Sequence, residues 1–157
     1  MLSLIRVNFI NLTKKSIPNL KSLTRLANFF IKEEKLKKVE VSIIFITNQK
    51  MKEINNQYRK IAKTTDILSF SLNDEITKPF AFDLLGDIYI SLGQAQRQAL
   101  VNKTTLVKEL NLLIIHGFLH LLGYNHDNLK NKKIMFKKQE AILNEFTIKE
   151  RSKEKGF

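Results

Sequence analysis

Residues 106–122 read LVKELNLLIIHGFLHLL, and this stretch limits what the chain can fold into more than any other. The run is apolar enough to be buried, and Gly123 follows it at once, the residue type favoured just past a helix C-terminus. It falls short of the ~20 apolar residues a membrane span needs, and Lys108, Glu109, Asn111 and two histidines interrupt it. It therefore reads as a buried helix from Thr104 or Thr105 to Leu122, with the rest of the chain packed around it.

Flanking patterns supply that packing. Residues 3–10 suit a short strand, and 18–36 an amphipathic helix with Pro18 in its first turn. VEVSIIFIT (39–47) has the β-branched content of a largely buried strand. Asn48 is the expected N-cap of a helix through about Arg59. TDILSF (65–70) and LGDIYIS (85–91) suit two more strands, joined by an acidic, Pro79-containing connection expected to be an exposed loop. A helix from 92 follows, and a last one over 128–149 has Ile134, Met135, Ala141, Ile142 and Phe146 on one side and lysines on the other. No repeat or linker divides the 157 residues. The expectation is one α+β domain over 1–150, α/β/α in layering, with a mixed sheet of about four strands around the central helix. Residues 151–157 are expected to be a basic, disordered tail.

The net charge of +12 favours a polyanionic partner such as nucleic acid. Arginine stands only at 6, 25, 59, 97 and 151, so the excess is almost all lysine, which also serves solubility. The N-terminus lacks the basic start and continuous apolar core of a signal peptide. Cysteine is absent, which rules out disulfide partners and thiolate ligands together and fits a cytoplasmic setting.

All three histidines lie in HGFLHLLGYNH, 116–126. Residues four apart share a helical face, so His116 and His120 can reach one ion, and a turn at Gly123 can return His126 to it. Three neutral nitrogens around an open position form the catalytic type of zinc site, although imidazole also suits other divalent transition metals. Either helical histidine alone would read as a core residue with a hydrogen-bond partner. Three at this spacing favour a metal. The same ligand spacing occurs in metzincin proteases, where a glutamate base follows the first histidine. Gly117 occupies that place here, which argues against a protease.

HGFLHLLGYNH is similar to the HGxLHLxGYDH signature of the YbeY family of metal-dependent endoribonucleases. INNQYRKIAKTTDILSF (54–70) resembles that family's N-x-x-Y-R…TDVLSF segment, LGDIYIS its GDI-x-IS strand, VKEL (107–110) its lead into the metal helix, and MFKKQEAIL (135–143) its C-terminal M…QE-x-IL stretch. The resemblance implies one Zn2+ per chain on His116, His120 and His126, with Arg59 contacting RNA or acting in catalysis beside His116. It implies cleavage of single-stranded RNA in maturation of the small-subunit rRNA 3′ end and in ribosome quality control, with the small ribosomal subunit as partner, in the cytoplasm and away from membranes. Three positions depart from the pattern: Asn125 replaces an aspartate, and Thr64 and Ser71 replace prolines.

A zinc ion can bring the pKa of bound water towards ~7. Arg59 can pair with phosphate oxygens, though by itself it reads as a helix-end arginine. Lys130 and Lys133, in the basic run after His126, are candidate RNA contacts or a solvated helix face. Asp66 and Asp87 are candidate partners of the ligands or a base, and Asp127 a candidate helix cap. Two other readings remain: a non-catalytic ribosome-assembly or RNA-binding factor with a structural metal, and a metalloprotease.

Overall fold

The β-branched stretch VSIIFI forms most of β2 (Lys38–Ile46), an inner strand of a four-stranded sheet. In this computed structural model, which describes residues 4–60, 65–72 and 82–154, the strand order is β1 (Leu4–Asn11), β2, β4 (Leu84–Ser91), β3 (Ile67–Ser71). β1, β2 and β4 are parallel, and β3 pairs antiparallel with β4 at the edge. Parallel neighbours need a crossover, and α1 (Leu20–Glu33) provides the one between β1 and β2.

Alternation along β2 serves two layers. Val39, Val41, Ile43 and Phe45 enter the main core with α1, α4 (Leu106–Leu121) and α5 (Leu129–Glu154). Ile44 and Ile46 face the other way, onto Met51 and Ile54 of α2 (Asn48–Arg59). A strand covered on both faces has to be apolar, as this one is over Ile43–Ile46, whereas Glu40 and Ser42 on the α2 side of its first half are only half-buried. α3 (Leu92–Val101) adds Leu92 and Ala95 to the main core. The chain is thus a single α+β domain, and the expected α/β/α layering is what the sheet and helices form.

α4 lies against the main face of the sheet with Leu110, Ile114, Phe118 and Leu119 fully buried. Gly117 permits its close approach: a methyl group there would sit 3.0 Å from Ile88 and 3.1 Å from Ile67. No described helix is long and apolar enough to cross a membrane.

Helix ends differ from expectation in informative ways. Thr47, not Asn48, caps α2, its hydroxyl accepting the Lys50 N–H at 3.1 Å. Asn48 is drawn instead to Ser91, whose hydroxyl donates to its side-chain oxygen. Pro18 precedes α1 rather than opening it, and Asn19 is the cap. Asn128, not Asp127, caps α5, accepting the Asn131 N–H at 2.8 Å. α5 continues through residues 151–154, expected as the start of a disordered tail. No glycine or proline intervenes, and Glu150 is held by Arg25 of α1 at 2.8 Å. Most of the connection around Pro79 and residues 155–157 lie outside the described residues.

Candidate metal centre

The last two turns of α4 place His116 and His120 on one face, and the ring Nε2 atoms are 3.0 Å apart. Each ring is held from its other nitrogen. His116 Nδ1 lies 2.9 Å from Oε1 of Gln139, which reaches across from α5 and is 2% exposed. His120 Nδ1 lies 3.1 Å from the Tyr124 carbonyl oxygen. A carbonyl only accepts, so His120 donates from Nδ1, and His116 does likewise to the amide oxygen. In the neutral rings both Nε2 atoms then carry lone pairs, aimed at one another with no proton between them. A shared cation relieves that opposition. Two nitrogens bound to one zinc at ~2.0–2.1 Å in tetrahedral geometry are separated by about 3.3 Å, close to what the side chains already hold.

The turn after α4 brings the third ligand. Gly123 has φ +102°, the left-handed region, with its N–H on the His120 carbonyl at 3.0 Å and the Tyr124 N–H on the Leu119 carbonyl at 3.0 Å. This six-to-one and five-to-two pairing reverses the chain. The same reversal presents the Tyr124 carbonyl to His120. Ligand atoms of His116, His120 and His126 all fall within 4.8 Å of one another. Burial, the largest influence on each, holds His116 and His120 below the usual histidine range and so keeps them neutral. Neutral imidazole is the ligating form. The donor set fits a zinc-type ion.

The triad opens into a cleft of about 570 Å³ whose wall is β3 with its lead-in, and Arg59, Asp66 and Ser69 also line it. Arg59 projects from the end of α2, where Lys60 turns the chain with φ 55°. Asp66 is the one carboxylate on the cleft wall among the described residues, and it raises the His116 pKa slightly by its charge. The Ser69 hydroxyl is buried without a hydrogen-bond partner among the described residues. Asp87 stands elsewhere: along β4, Ile88 faces α4 and Asp87 faces α2, so the sheet separates it from the histidines.

Lys130 and Lys133 are exposed on α5 and neither lines the cleft. Lys130 is nine residues before Gln139, about two and a half turns, so it points away from the site. Lys132 comes nearer, its ammonium 5.7 Å from the Phe136 ring centre, and that ring lies 6.2 Å from His116. Asn125 keeps a structural role without the aspartate charge, its oxygen accepting from the Asp127 N–H at 3.2 Å and from Asn131 at 3.0 Å.

Fold and site define a small α+β domain with a three-histidine cluster that could hold one metal ion beside an open cleft. The sequence model of the family described as endoribonuclease YbeY matches residues 8–147. This chain belongs to that family. An endoribonuclease YbeY of Acholeplasma laidlawii (strain PG-8A) is 40% identical over 145 residues, 92% of this chain and 99% of that protein. One from Geobacillus thermodenitrificans (strain NG80-2) is 37% identical over 154 residues, 92% of this chain and 97% of that one. A solution structure of a Thermotoga maritima protein shares the fold with a TM-score of 0.65 at 30% identity, over 94% of this chain and 93% of that one.

Proposed function

We propose that the chain is a zinc-dependent endoribonuclease that cuts single-stranded RNA, with small-subunit rRNA as its substrate in 3′-end maturation and ribosome quality control, in the cytoplasm. The observation that carries the metal requirement is the pair of bare Nε2 atoms 3.0 Å apart, each ring pinned from behind. Family membership supports the nuclease activity, and the net charge of +12 supports a polyanionic substrate.

His116, His120 and His126 would hold the ion. Zinc held there would supply Lewis acidity and bring the pKa of water towards neutrality. The chain's own groups do the rest. Arg59 presents a planar fork of donors suited to two phosphate oxygens and stabilises the charge that builds on them. The Ser69 hydroxyl, unpartnered among the described residues, can make a third contact. Asp66, the cleft carboxylate, takes the proton from the attacking water and returns it to the leaving ribose oxygen as the P–O bond breaks. Lys130 and Lys133 stand outside the cleft and act on RNA only by attraction at a distance.

Purified protein should carry about one zinc per chain. His116→Ala or a chelator should abolish cleavage of a single-stranded RNA, and Arg59→Ala should slow it by about 10²–10³-fold. Cleavage undiminished by both chelation and His116→Ala would sink the reading. RNA bound tightly by the wild type but never cut would favour the assembly-factor alternative with a structural metal.

A further inference from the structure

Among the described residues the sheet face opposite the histidines is covered by α2, and beside it lies a cavity of about 470 Å³. That is within the roughly 300–1,000 Å³ of ordinary small-molecule sites. Three aromatic rings form its wall as an edge-to-face ladder: Tyr58 to Phe70 at 5.3 Å and Phe70 to Tyr89 at 5.8 Å. Tyr58 is 63% exposed, so much of its ring is uncovered. Asp87 projects into the same space with no hydrogen-bond or ion-pair partner among the described residues. Lys50 also lines the cavity, and its ammonium lies 3.6 Å from the Glu53 carboxylate.

This cavity adjoins the cleft of the histidines. Phe70 lines both, and Tyr58 of one is followed directly by Arg59 of the other. We propose that the cavity is a nucleobase subsite for a nucleotide flanking the bond that is cut, and that it takes guanine. The inference rests on the endoribonuclease reading above.

Chemistry selects the base. Aromatic side chains stack bases of any kind and so retain a single strand without choosing among them. The choice falls to Asp87, whose carboxylate, when ionised, can accept but not donate. Guanine offers N1–H and N2–H side by side, matching both carboxylate oxygens. Uracil offers one N–H between two carbonyl oxygens, which the carboxylate repels. Adenine and cytosine each offer a single amino donor beside an acceptor nitrogen. Lys50 on the lining suits the phosphate of the same nucleotide.

Burial holds the Asp87 carboxyl above the usual carboxylate range, with no charged partner offsetting it among the described residues. An amide at this position therefore removes no favourable charge interaction, and Asp87→Asn should fold normally. The test uses fluorescence-labelled 2′-O-methyl oligonucleotides, verified intact by gel. One is all uridine, and the others carry a single guanosine or adenosine. By anisotropy the wild type should bind the guanosine strand about tenfold more tightly than the uridine strand. Asp87→Asn should lose that preference and gain one for adenosine, since an amide both donates and accepts. A purely structural Asp87 would not transfer preference between bases.

Equal binding of guanosine and uridine strands by the wild type, or a guanosine preference that survives Asp87→Asn, would overturn the subsite. Ring signals of Tyr58 and Tyr89 unmoved by the guanosine strand in NMR spectra would assign the cavity to a protein segment and overturn it equally. Cleavage that persists without a guanosine preference refutes the subsite alone. Failure to bind any strand refutes the endoribonuclease reading with it.

Discussion

Gln139→Leu tests the metal centre through a residue that does not ligate. The substitution removes the acceptor 2.9 Å from His116 Nδ1 at a position 2% exposed, where water cannot replace it. Leucine has nearly the same volume, so no large cavity opens. The buried donor left without a partner costs about 1–3 kcal/mol, and added apolar burial offsets a part. The metal-free protein should lose about 1–2 kcal/mol. In a domain of this size that lowers Tm by about 2–8 °C, taking 2–4 °C per kcal/mol. Zinc binding should suffer more specifically. The ring is no longer fixed with Nε2 towards the site, and loss of such a supporting hydrogen bond weakens metal affinity about 10–100-fold. Gln139→Glu keeps the acceptor and should restore affinity to the wild-type level or above. Competition against a chromophoric chelator reads the affinities, and thermal scans of the metal-free proteins read the fold. If Gln139→Leu binds zinc within twofold of wild type, the acceptors behind the two histidines do not organise the site.

Gly123→Ala forces a side chain into a backbone conformation at φ +102°, costing about 1–2 kcal/mol, and should weaken zinc binding because the turn also places His126. Unchanged Tm and affinity would show that the turn does not need glycine. Asp83 gives a pH prediction: its carboxylate accepts the Lys37 N–H at 2.6 Å and the Lys38 N–H at 3.0 Å, which hold its pKa below the usual range. A depressed folded pKa means stability that is present above the unfolded value of about 3.9 and lost as pH falls through the folded one. The Tm gap between wild type and Asp83→Asn should therefore close on acidification below about pH 4, and a constant gap would assign the effect to something other than ionisation.

The centre was legible wherever one helix or one turn determines geometry. Four-residue spacing fixes His116 beside His120, and a glycine after an apolar run fixes the reversal that returns His126. What depends on register between elements was not legible. LLGDIYIS is apolar on both sides of its strand, so alternation could not say which face Asp87 takes. Nor could it say that Asp66, just before β3, would reach the cleft while Asp87 would not. The N-cap of α2 failed for a related reason: Thr47 and Asn48 both cap well, and only the distant Ser91 takes Asn48 out of contention. Gln139 is the instructive omission. Reading α5 for apolar residues selected Ile134 and Ala141, but Ile134 is 49% exposed and Ala141 is exposed as well. The buried stripe is Met135, Gln139, Ile142 and Phe146, spaced four, three and four. A glutamine in phase with an apolar stripe has to find a partner within the core. The unclaimed donor on that core was the back of His116, so the phase of one polar residue in α5 carried the missing half of the metal centre.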